Sequence, residues 1–280
     1  MSSFRPGEAV VLSQQIRRIT APNPGMMTGP GTNTYLVGNA ELAVIDPGPA
    51  LAEHIDAILK TASDMRAPIR WILCTHTHLD HSPGANLLRD ATDAVVIGQQ
   101  AQFPKGQDPS FAPDHHWQHG DFIQTDEFTL RAVHTPGHAS NHLCFYLEEE
   151  QTLFTGDHIM EGSTVVIAPP DGDMLDYMNS LRDLKQLELK HLAPAHGNRI
   201  DNPLQMIEAL IWHRTMRENK TLEKMQQLGP CTLATLTPSV YDEVPAFLHG
   251  LAQMSLLAHL LKLEKEQRVH QDNDLWRIAG

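Results

Sequence analysis

The sequence predicts an α/β protein followed by a smaller helical domain, and three observations lead to this prediction. Buried-type strands alternate with amphipathic helical stretches over residues 42–98, which is typical of layered α/β folds. Residues of metal-ligand type follow one predicted strand after another, so functional groups are expected at a sheet edge. Residues 203–280 instead show three helical stretches and a terminal hairpin, the pattern of a winged helix.

The first part of the chain is predicted to consist of strands interrupted by two helices. Residues 8–20 alternate weakly and indicate one or two edge strands. Residues 51–65 place apolar side chains at helical spacing, and a second, short helix begins at about residue 83. The predicted strands in this part cover residues 32–38, 42–45, 69–74 and 94–98.

The middle of the chain is predicted to hold further strands on either side of two loops. Residues 103–121 contain three prolines and are expected to form a loop, with His115, His116 and His119 in solvent. A second loop at residues 162–173 precedes a helix predicted over residues 174–189. The predicted strands here cover residues 122–123, 128–133, 143–147 and 152–155, and residues 191–195 lead to His196 as a further strand.

The tail is predicted to start a separate domain at residue 203. Asn202 and Pro203 have the residue types expected at a helix N-cap and at the first helical position. Helices are predicted over residues 203–227, 232–241 and 246–265, and a hairpin over residues 268–278. The expected domains are therefore 1–202 and 203–280, with the tail of winged-helix type.

Composition limits the classes of function. The net charge is −13, and residues 1–202 carry nearly all of the acidic excess, which argues against general electrostatic binding to nucleic acid. The cysteines (Cys74, Cys144 and Cys231) lie far apart in apolar settings and are expected to be reduced. The sequence shows neither a signal-peptide pattern at its start nor 18 consecutive apolar residues, so a cytoplasmic protein without membrane contact is expected.

A dense group of histidines follows the predicted strand 69–74. Residues 75–81 contain His76, His78, Asp80 and His81, and such a group on its own is more often a solvated surface than a metal site. Three further residues of ligand type change this interpretation because each comes at the end of another predicted strand. They are His138, Asp157 and His196.

Two sets of metal ligands can be built from these seven residues. His76, His78 and His138 give one ion three nitrogens, Asp80, His81 and His196 give a second ion a mixed set, and Asp157 can bridge the two. Two divalent ions could share a hydroxide that attacks a carbonyl carbon or a phosphorus atom. Asp80 could hold that hydroxide and relay its proton to the leaving group. Zinc is the expected metal, and iron or manganese also suits these ligands.

Asp46 ends the predicted strand 42–45 and has two interpretations. Its carboxylate could cap a turn or helix. It could also accept a hydrogen bond that orients the histidine loop.

The four motifs that carry these ligands resemble those of the metallo-β-lactamase superfamily. They are Thr-His-Thr-His-Leu-Asp-His at 75–81, Thr-Pro-Gly-His at 135–138, Thr-Gly-Asp at 155–157 and Pro-Ala-His-Gly at 194–197. The resemblance covers residues 8–202. It implies an αββα sandwich with a dinuclear site and the same ligand assignment.

A closer resemblance, to β-lactamase-like proteins with a C-terminal winged helix, covers the whole chain. It rests on residues 31–37, 169–174 and 177–181 and on His213-Arg214 with Arg217-Glu218. Asn33 and Tyr177 lie within these motifs and are candidates for supporting the ligands or shaping the substrate loop. Some members of that group are endoribonucleases that act on single-stranded RNA.

Two classes of substrate follow from these observations. A small ester, thioester or lactone suits the acidic catalytic domain, because such a substrate needs no cationic groove. The alternative is cleavage of single-stranded RNA by the same two-metal water, for which the tail offers few cations and aromatic rings. Ordinary helix surface and wing packing is the favoured interpretation of these residues, which are Arg214, Arg217, Arg268, Trp276 and Arg277. The winged helix could equally form a homodimer or a lid.

Overall fold

The computed structural model describes residues 4–279 of the chain. Its helices and strands follow the predicted order closely. The helices are α1 (Ala52–Met65), α2 (Gly84–Thr92), α3 (Met174–Leu184), α4 (Pro203–Leu228), α5 (Leu233–Val240) and α6 (His249–Lys265), the last preceded by a 3₁₀ turn at Ala246–Leu248.

The strands confirm the predicted sheet segments and add one short strand in the loop 103–121. They are β1 (Ala9–Val11), β2 (Ile16–Thr20), β3 (Asn33–Val37), β4 (Leu42–Ile45), β5 (Ile69–Leu73), β6 (Val95–Gly98), β7 (His115–His116), β8 (Phe122–Gln124), β9 (Thr129–His134), β10 (Leu143–Leu147), β11 (Thr152–Gly156), β12 (His191–Pro194), β13 (Val269–Asp272) and β14 (Leu275–Ile278).

Two sheets organise the first part of the chain. A seven-stranded sheet has the order β1-β2-β3-β4-β5-β6-β7, and a five-stranded sheet has the order β12-β11-β10-β9-β8. The pairs β4–β5 and β11–β12 are both parallel. Residues that follow the paired strands therefore emerge at the same edge of their sheet, and this edge carries the predicted ligands.

Two apolar cores hold these layers together. One core contains side chains from the facing sides of both sheets, including Tyr35, Phe145 and Phe154. The other contains side chains from the seven-stranded sheet, α1 and α2, including Ile58, Ile72 and Leu88. Three layers of the predicted sandwich, one helical and two of sheet, thus share continuous cores.

The described chain divides into two compact units, and the division does not follow the chain order. The first unit comprises residues up to Thr135 together with Asn141–Ser163 and Glu188–Pro203. The second comprises Pro136–Ser140, Thr164–Leu187 and the residues from Leu204 onward. Helix α3 and the short segment around His138 therefore group with the C-terminal helices.

The second unit has its own core, built from α4, α5, α6 and the β13–β14 hairpin. Trp276 from the hairpin is fully buried there beside Leu256 and Leu260 of α6. The stretch Ala246–Lys265 is long and apolar enough to cross a membrane by composition alone. A helix in the core of a folded domain meets the same criterion, and this stretch supplies several side chains to that core.

One helix is shorter than predicted. The sequence predicts a helix over residues 174–189, but α3 ends at Leu184. The amides of Lys185, Gln186 and Leu187 each bond to the carbonyl three residues earlier, as in a 3₁₀ turn. The apolar Leu187 continues the helical spacing into this turn, which explains the error.

Candidate metal centre

The parallel pairing of β4 and β5 places Asp46 and the histidine loop at one sheet edge. Ile45 lies opposite Leu73 in the register, and the Asp46 amide donates to the Leu73 carbonyl at 2.8 Å. Asp46 has a left-handed backbone (φ 50°), which aspartate tolerates better than most residues. This conformation ends β4 at the point where the Asp46 side chain contacts the histidine loop.

The Asp46 carboxylate contacts three groups of the histidine loop and is itself buried. One oxygen accepts the Thr75 amide at 2.7 Å, and the other accepts the Thr75 hydroxyl at 2.8 Å. The second oxygen also lies 3.0 Å from His81 Nδ1. With Nδ1 directed at Asp46, the His81 ring turns its Nε2 in the opposite direction, towards Asp80 and Asp157.

His81 Nε2 is one of four ligand-type atoms that converge in the first unit. It lies 3.4 Å from Asp80 Oδ2 and 3.6 Å from Asp157 Oδ1. His196 Nε2 lies 3.3 Å from the same Asp80 oxygen and 3.2 Å from the same Asp157 oxygen. Asp157 follows β11 and His196 follows β12, so the parallel pairing of those strands brings the two residues together.

These spacings fit a metal ion better than a hydrogen-bonded network. Ligands held about 2.1 Å from one tetrahedral ion are separated from each other by roughly 3.4 Å. The four distances lie close to that value. His81 Nε2 is buried and makes no hydrogen bond of acceptable geometry, although two carboxylates are near it. Asp80, His81 and His196 form one group able to hold a metal ion, and their mixture of imidazole and carboxylate suits Zn²⁺, Mn²⁺ or iron.

The pKa shifts in the cluster show that its carboxylates favour a nearby positive charge. Burial would lower the pKa of His81, but Asp80, Asp157 and Asp46 together raise it well above its ordinary value. Burial is likewise overcome at His196, where Asp157 and Asp80 raise the pKa to about 10. The pKa values of Asp80 and Asp157 are lowered against the effect of burial by His81 and His196. A divalent cation would supply the positive charge that these carboxylates otherwise draw from protons on the histidines.

His76 and His78 lie beside this cluster on the same loop. His76 Nε2 and His78 Nδ1 are 2.9 Å apart, and His76 Nδ1 lies 3.0 Å from the Thr75 hydroxyl. His76 also groups with His81 and Asp157 at a spacing that can hold a metal ion, as Asp80 does with His81 and His196. The structure therefore brings together six of the seven predicted ligands within the first unit.

The seventh predicted ligand, His138, belongs to the second unit, as does Tyr177. The His138 ring bonds the Val166 carbonyl through Nδ1 at 2.8 Å, and a bond of this kind sets the ring orientation of a metal-binding histidine. Tyr177 is fully buried on α3, and its backbone packs against Gly137. The roles of both residues remain predictions.

Asn33 and Thr32 support two of the predicted ligands. The Asn33 side-chain amide donates to the carbonyls of Pro194 and Gly197, on either side of His196, at 3.0 and 2.9 Å. The Thr32 hydroxyl donates to Asp80 Oδ2 at 3.0 Å. Thr32 was not predicted as a site residue, although it lies in the same motif as Asn33.

His142 is a second residue that the sequence did not single out. Its Nε2 accepts the Asp157 amide at 3.2 Å, and its Nδ1 lies 2.9 Å from the Thr135 hydroxyl. Gly156 packs so closely here that a Cβ would lie 2.6 Å from both His142 Nε2 and Thr75 Oγ1. His142 therefore fixes the backbone of Asp157, and its position four residues after His138 was the available signal.

The remaining candidate residues are placed away from this cluster or bound internally. His115 and His116 form the exposed edge strand β7 rather than a plain loop. Trp276 is a core residue, as the favoured interpretation predicted. The interpretation of Arg214 as helix surface is wrong, because its side chain is buried and donates to the Val165 carbonyl.

Comparison with known families gives two matches along the chain. The model of the metallo-beta-lactamase superfamily matches residues 27–196. The model of the beta-lactamase associated winged helix domain matches residues 232–276.

Similar proteins cover most of the chain. A Caenorhabditis elegans protein named beta-lactamase-like protein 2 homolog is 32% identical over 261 residues, which cover 91% of this chain and 86% of that protein. The atrochrysone carboxyl ACP thioesterase of Aspergillus fumigatus is 32% identical over 252 residues, or 85% of this chain and 77% of that enzyme. The solved structure of a beta-lactamase domain protein from Burkholderia ambifaria has a TM-score of 0.83 at 19% identity and covers 99% of this chain and 96% of its own.

Proposed function

This chain belongs to the metallo-beta-lactamase superfamily of hydrolases and carries the associated winged helix domain, and from that premise we propose that it is a dinuclear metallohydrolase of small esters, thioesters or lactones. The spacing of 3.2–3.6 Å among the donor atoms of Asp80, His81, Asp157 and His196 is the observation that carries the metal-dependent part of the proposal.

Two divalent ions, with zinc as the first choice, would be held by the predicted ligand sets. His76, His78 and His138 would hold one ion, Asp80, His81 and His196 the other, and Asp157 would contact both. When bound, such ions lower the pKa of water towards neutrality and polarise a substrate carbonyl.

The residues of the chain provide orientation and proton transfer. Asp46 holds Thr75 and His81, which fixes the ring of His81 before any ligand arrives. Asp80 is the more accessible of the two converging carboxylates, with 27% of its side chain exposed against 13% for Asp157. Asp80 is therefore the residue that we assign to holding the attacking water and moving its proton to the leaving group. The Thr32 hydroxyl keeps the Asp80 carboxylate in place.

Two observations support an acyl substrate over RNA. The Aspergillus relative named as an ACP thioesterase is similar over most of both chains, and a thioester is an acyl substrate. The cations that the RNA alternative would require are held by groups of the second unit instead. Arg217 bonds the Val240 carbonyl and Glu243, and Arg268 pairs with Glu218 at 2.7 Å. Single-strand RNA binding needs cations and rings that are accessible to phosphates and bases.

A substrate panel under defined metal tests this proposal. Metal-free protein reloaded with Zn²⁺, Mn²⁺ or Fe²⁺ is assayed on a thioester, a lactone, a bis-aryl phosphodiester and a short single-stranded RNA. We expect hydrolysis of the acyl substrates only, in wild type and in Asp56→Asn, an exposed change on α1. Asp80→Ala should be inactive on all four, which excludes a contaminant.

The panel also has outcomes that contradict the proposal. Cleavage of RNA without hydrolysis of the thioester or the lactone would replace the acyl assignment with the endoribonuclease. Fewer than two ions per chain after loading would contradict the dinuclear site, whatever the substrate.

A further inference from the structure

We propose that the C-terminal helices α4 and α6 position the predicted metal ligand His138, through Arg214 and Lys265. This inference rests on the proposed dinuclear function, because it takes His138 as a ligand. Every contact that supports it lies within the second unit, which contains both the His138 segment, Pro136–Ser140, and the two helices.

Arg214 acts on the loop segment that holds the His138 ring. His138 Nδ1 bonds the Val166 carbonyl at 2.8 Å, and Arg214 donates to the adjacent Val165 carbonyl at 2.5 Å. Val165 and Arg214 are both buried, at 3% and 4% exposure. Partners that bond the second nitrogen of a metal-binding histidine set the orientation of its ring. Arg214 therefore fixes the position of the peptide on which the orientation of His138 depends.

The Arg214 guanidinium also contacts Tyr177, which packs against the His138 segment. It lies over the ring of Tyr177, 5.3 Å from its centroid. The backbone of Tyr177 packs against Gly137, where a Cβ would lie 2.4 Å from Tyr177 Cα. Gly137 also has a φ of +142°, so other residues would be strained there even with more space. One arginine thus contacts both neighbours of the ligand segment.

Lys265 acts through the N-terminus of α3. Asp173 caps this helix by accepting the amides of Leu175 and Asp176, and its own amide donates to the Gly137 carbonyl at 2.8 Å. Lys265 forms an ion pair with the other oxygen of Asp173. Ser180 of α3 holds the Pro136 carbonyl at 2.9 Å. The segment is thereby fixed at two consecutive carbonyls as well as at the His138 ring.

The experiment measures metal binding rather than turnover. Metal-free protein is titrated with Zn²⁺ in competition with a chromophoric chelator, which gives the number of ions and a dissociation constant for each. His138→Ala identifies the ion that His138 binds. We expect Arg214→Gln to raise the dissociation constant of that ion roughly 10-fold, which is the lower end of the effect of a residue that orients a ligand. The dissociation constant of the other ion should not change. Arg214→Lys retains a donor towards Val165 and should restore most of the affinity.

A matched control separates positioning from stability. Arg268 also lies in the second unit, and its side chain pairs with the buried Glu218 of α4 and with Glu266 at the end of α6. Arg268→Gln should lower the thermal stability without changing either dissociation constant. If Arg214→Gln does not fold, Lys265→Met replaces it, because Lys265 is half-exposed and its loss leaves the core intact. That variant should raise the dissociation constant of the ion bound by His138 a few-fold.

The outcomes distinguish the inference from the proposed function. If wild type binds fewer than two ions, the dinuclear proposal fails. If wild type binds two ions and the folded Arg214→Gln or Lys265→Met variant binds both with unchanged constants, the positioning role is overturned and the dinuclear proposal stands. An equal rise in the dissociation constants of both ions would also overturn the positioning role. The same change in Arg268→Gln would overturn it too.

Discussion

The two units of this chain each bury a cluster of charged side chains, but the clusters differ in how their charge is balanced. In the second unit, Glu218 takes Lys262 on one oxygen at 2.6 Å and Arg268 on the other at 2.7 Å, and Lys262 also reaches Glu266 at 2.8 Å. These are permanent cations matched to carboxylates. In the first unit, Asp46, Asp80 and Asp157 form ion pairs with the imidazoles of His81 and His196.

The difference separates a cluster that stabilises the fold from one prepared for a ligand. A buried ion pair is costly to form and more costly to break, because the remaining charge stays buried without its partner. Carboxylates gathered around imidazoles, which carry charge only when protonated, have a different requirement, which is met by protons or by a metal ion. Two changes test this contrast and a third tests a buried histidine outside both clusters, starting with the largest effect.

Asp80→Asn should abolish most activity with a modest loss of stability. A group that transfers a proton typically contributes about 10²–10⁴-fold to kcat, and we expect a loss of that order on the best acyl substrate. In the metal-free protein the change removes an anion that pairs with His81 and His196, so the free energy of unfolding should fall. Asp80 is partly exposed, so this loss should be smaller than for a fully buried pair. Steady-state kinetics and urea unfolding measure the two effects, with Asp56→Asn as the control. A large loss of stability in the metal-free protein would place Asp80 in the same class as Glu218.

Lys262→Met should have a large effect on stability and none on metal binding. It leaves Glu218 buried with one cation fewer, and removal of one partner from a buried pair costs about 3–5 kcal/mol of unfolding free energy. The number of bound ions should not change. The control is Lys60→Met, which breaks an exposed pair with Asp64 on α1 and should cost less than about 1 kcal/mol. A similarly small cost for Lys262→Met would show that the buried pair contributes little.

His54→Gln should reduce the sensitivity of the first unit to acid. His54 is fully buried with Nε2 2.7 Å from the Thr34 hydroxyl, and burial lowers its pKa to about 4. The unfolded chain, with a pKa near 6.5, then binds more protons than the folded one, so stability falls as the pH drops from about 6.5 to 4 and is unaffected above that window. The full loss is about 3 kcal/mol at most.

Urea unfolding at pH 7.5 and pH 4.5 measures this effect. Wild type should lose stability between the two values, and His54→Gln should lose less. The exposed change His119→Gln serves as the control. An equal loss in wild type and His54→Gln would assign the acid sensitivity to other groups.

Much of the first cluster was predictable because strand ends are local in sequence. A ligand-type residue after a buried strand, repeated along the chain, predicts convergence once the strands are parallel neighbours, as β11 and β12 are for Asp157 and His196. The contact of Asp46 with His81 follows in the same way from β4 and β5. Contacts such as Thr32 to Asp80 depend on the exact path of a loop, which no periodic pattern records.

The second cluster was not predictable for the opposite reason. Arg214, Glu218 and Thr221 form a buried row on α4, at positions where an amphipathic pattern reserves the buried face for apolar residues. Polar residues at helical spacing therefore predicted a solvent-exposed face of α4. Their burial depends on partners from distant parts of the chain, such as Val165, Lys262 and Arg268.

The interleaving of the two units has a consequence for synthesis on the ribosome. The segment Pro136–Ser140 is synthesised well before α4, α5 and α6, the helices that complete its unit. At about 5–20 residues per second, the nascent chain waits on the order of ten seconds before α6 is available. During that interval the sheets of the first unit can already collapse, while the loop that carries His138 has no finished unit to join. Completion of the second unit therefore waits for the synthesis of α6.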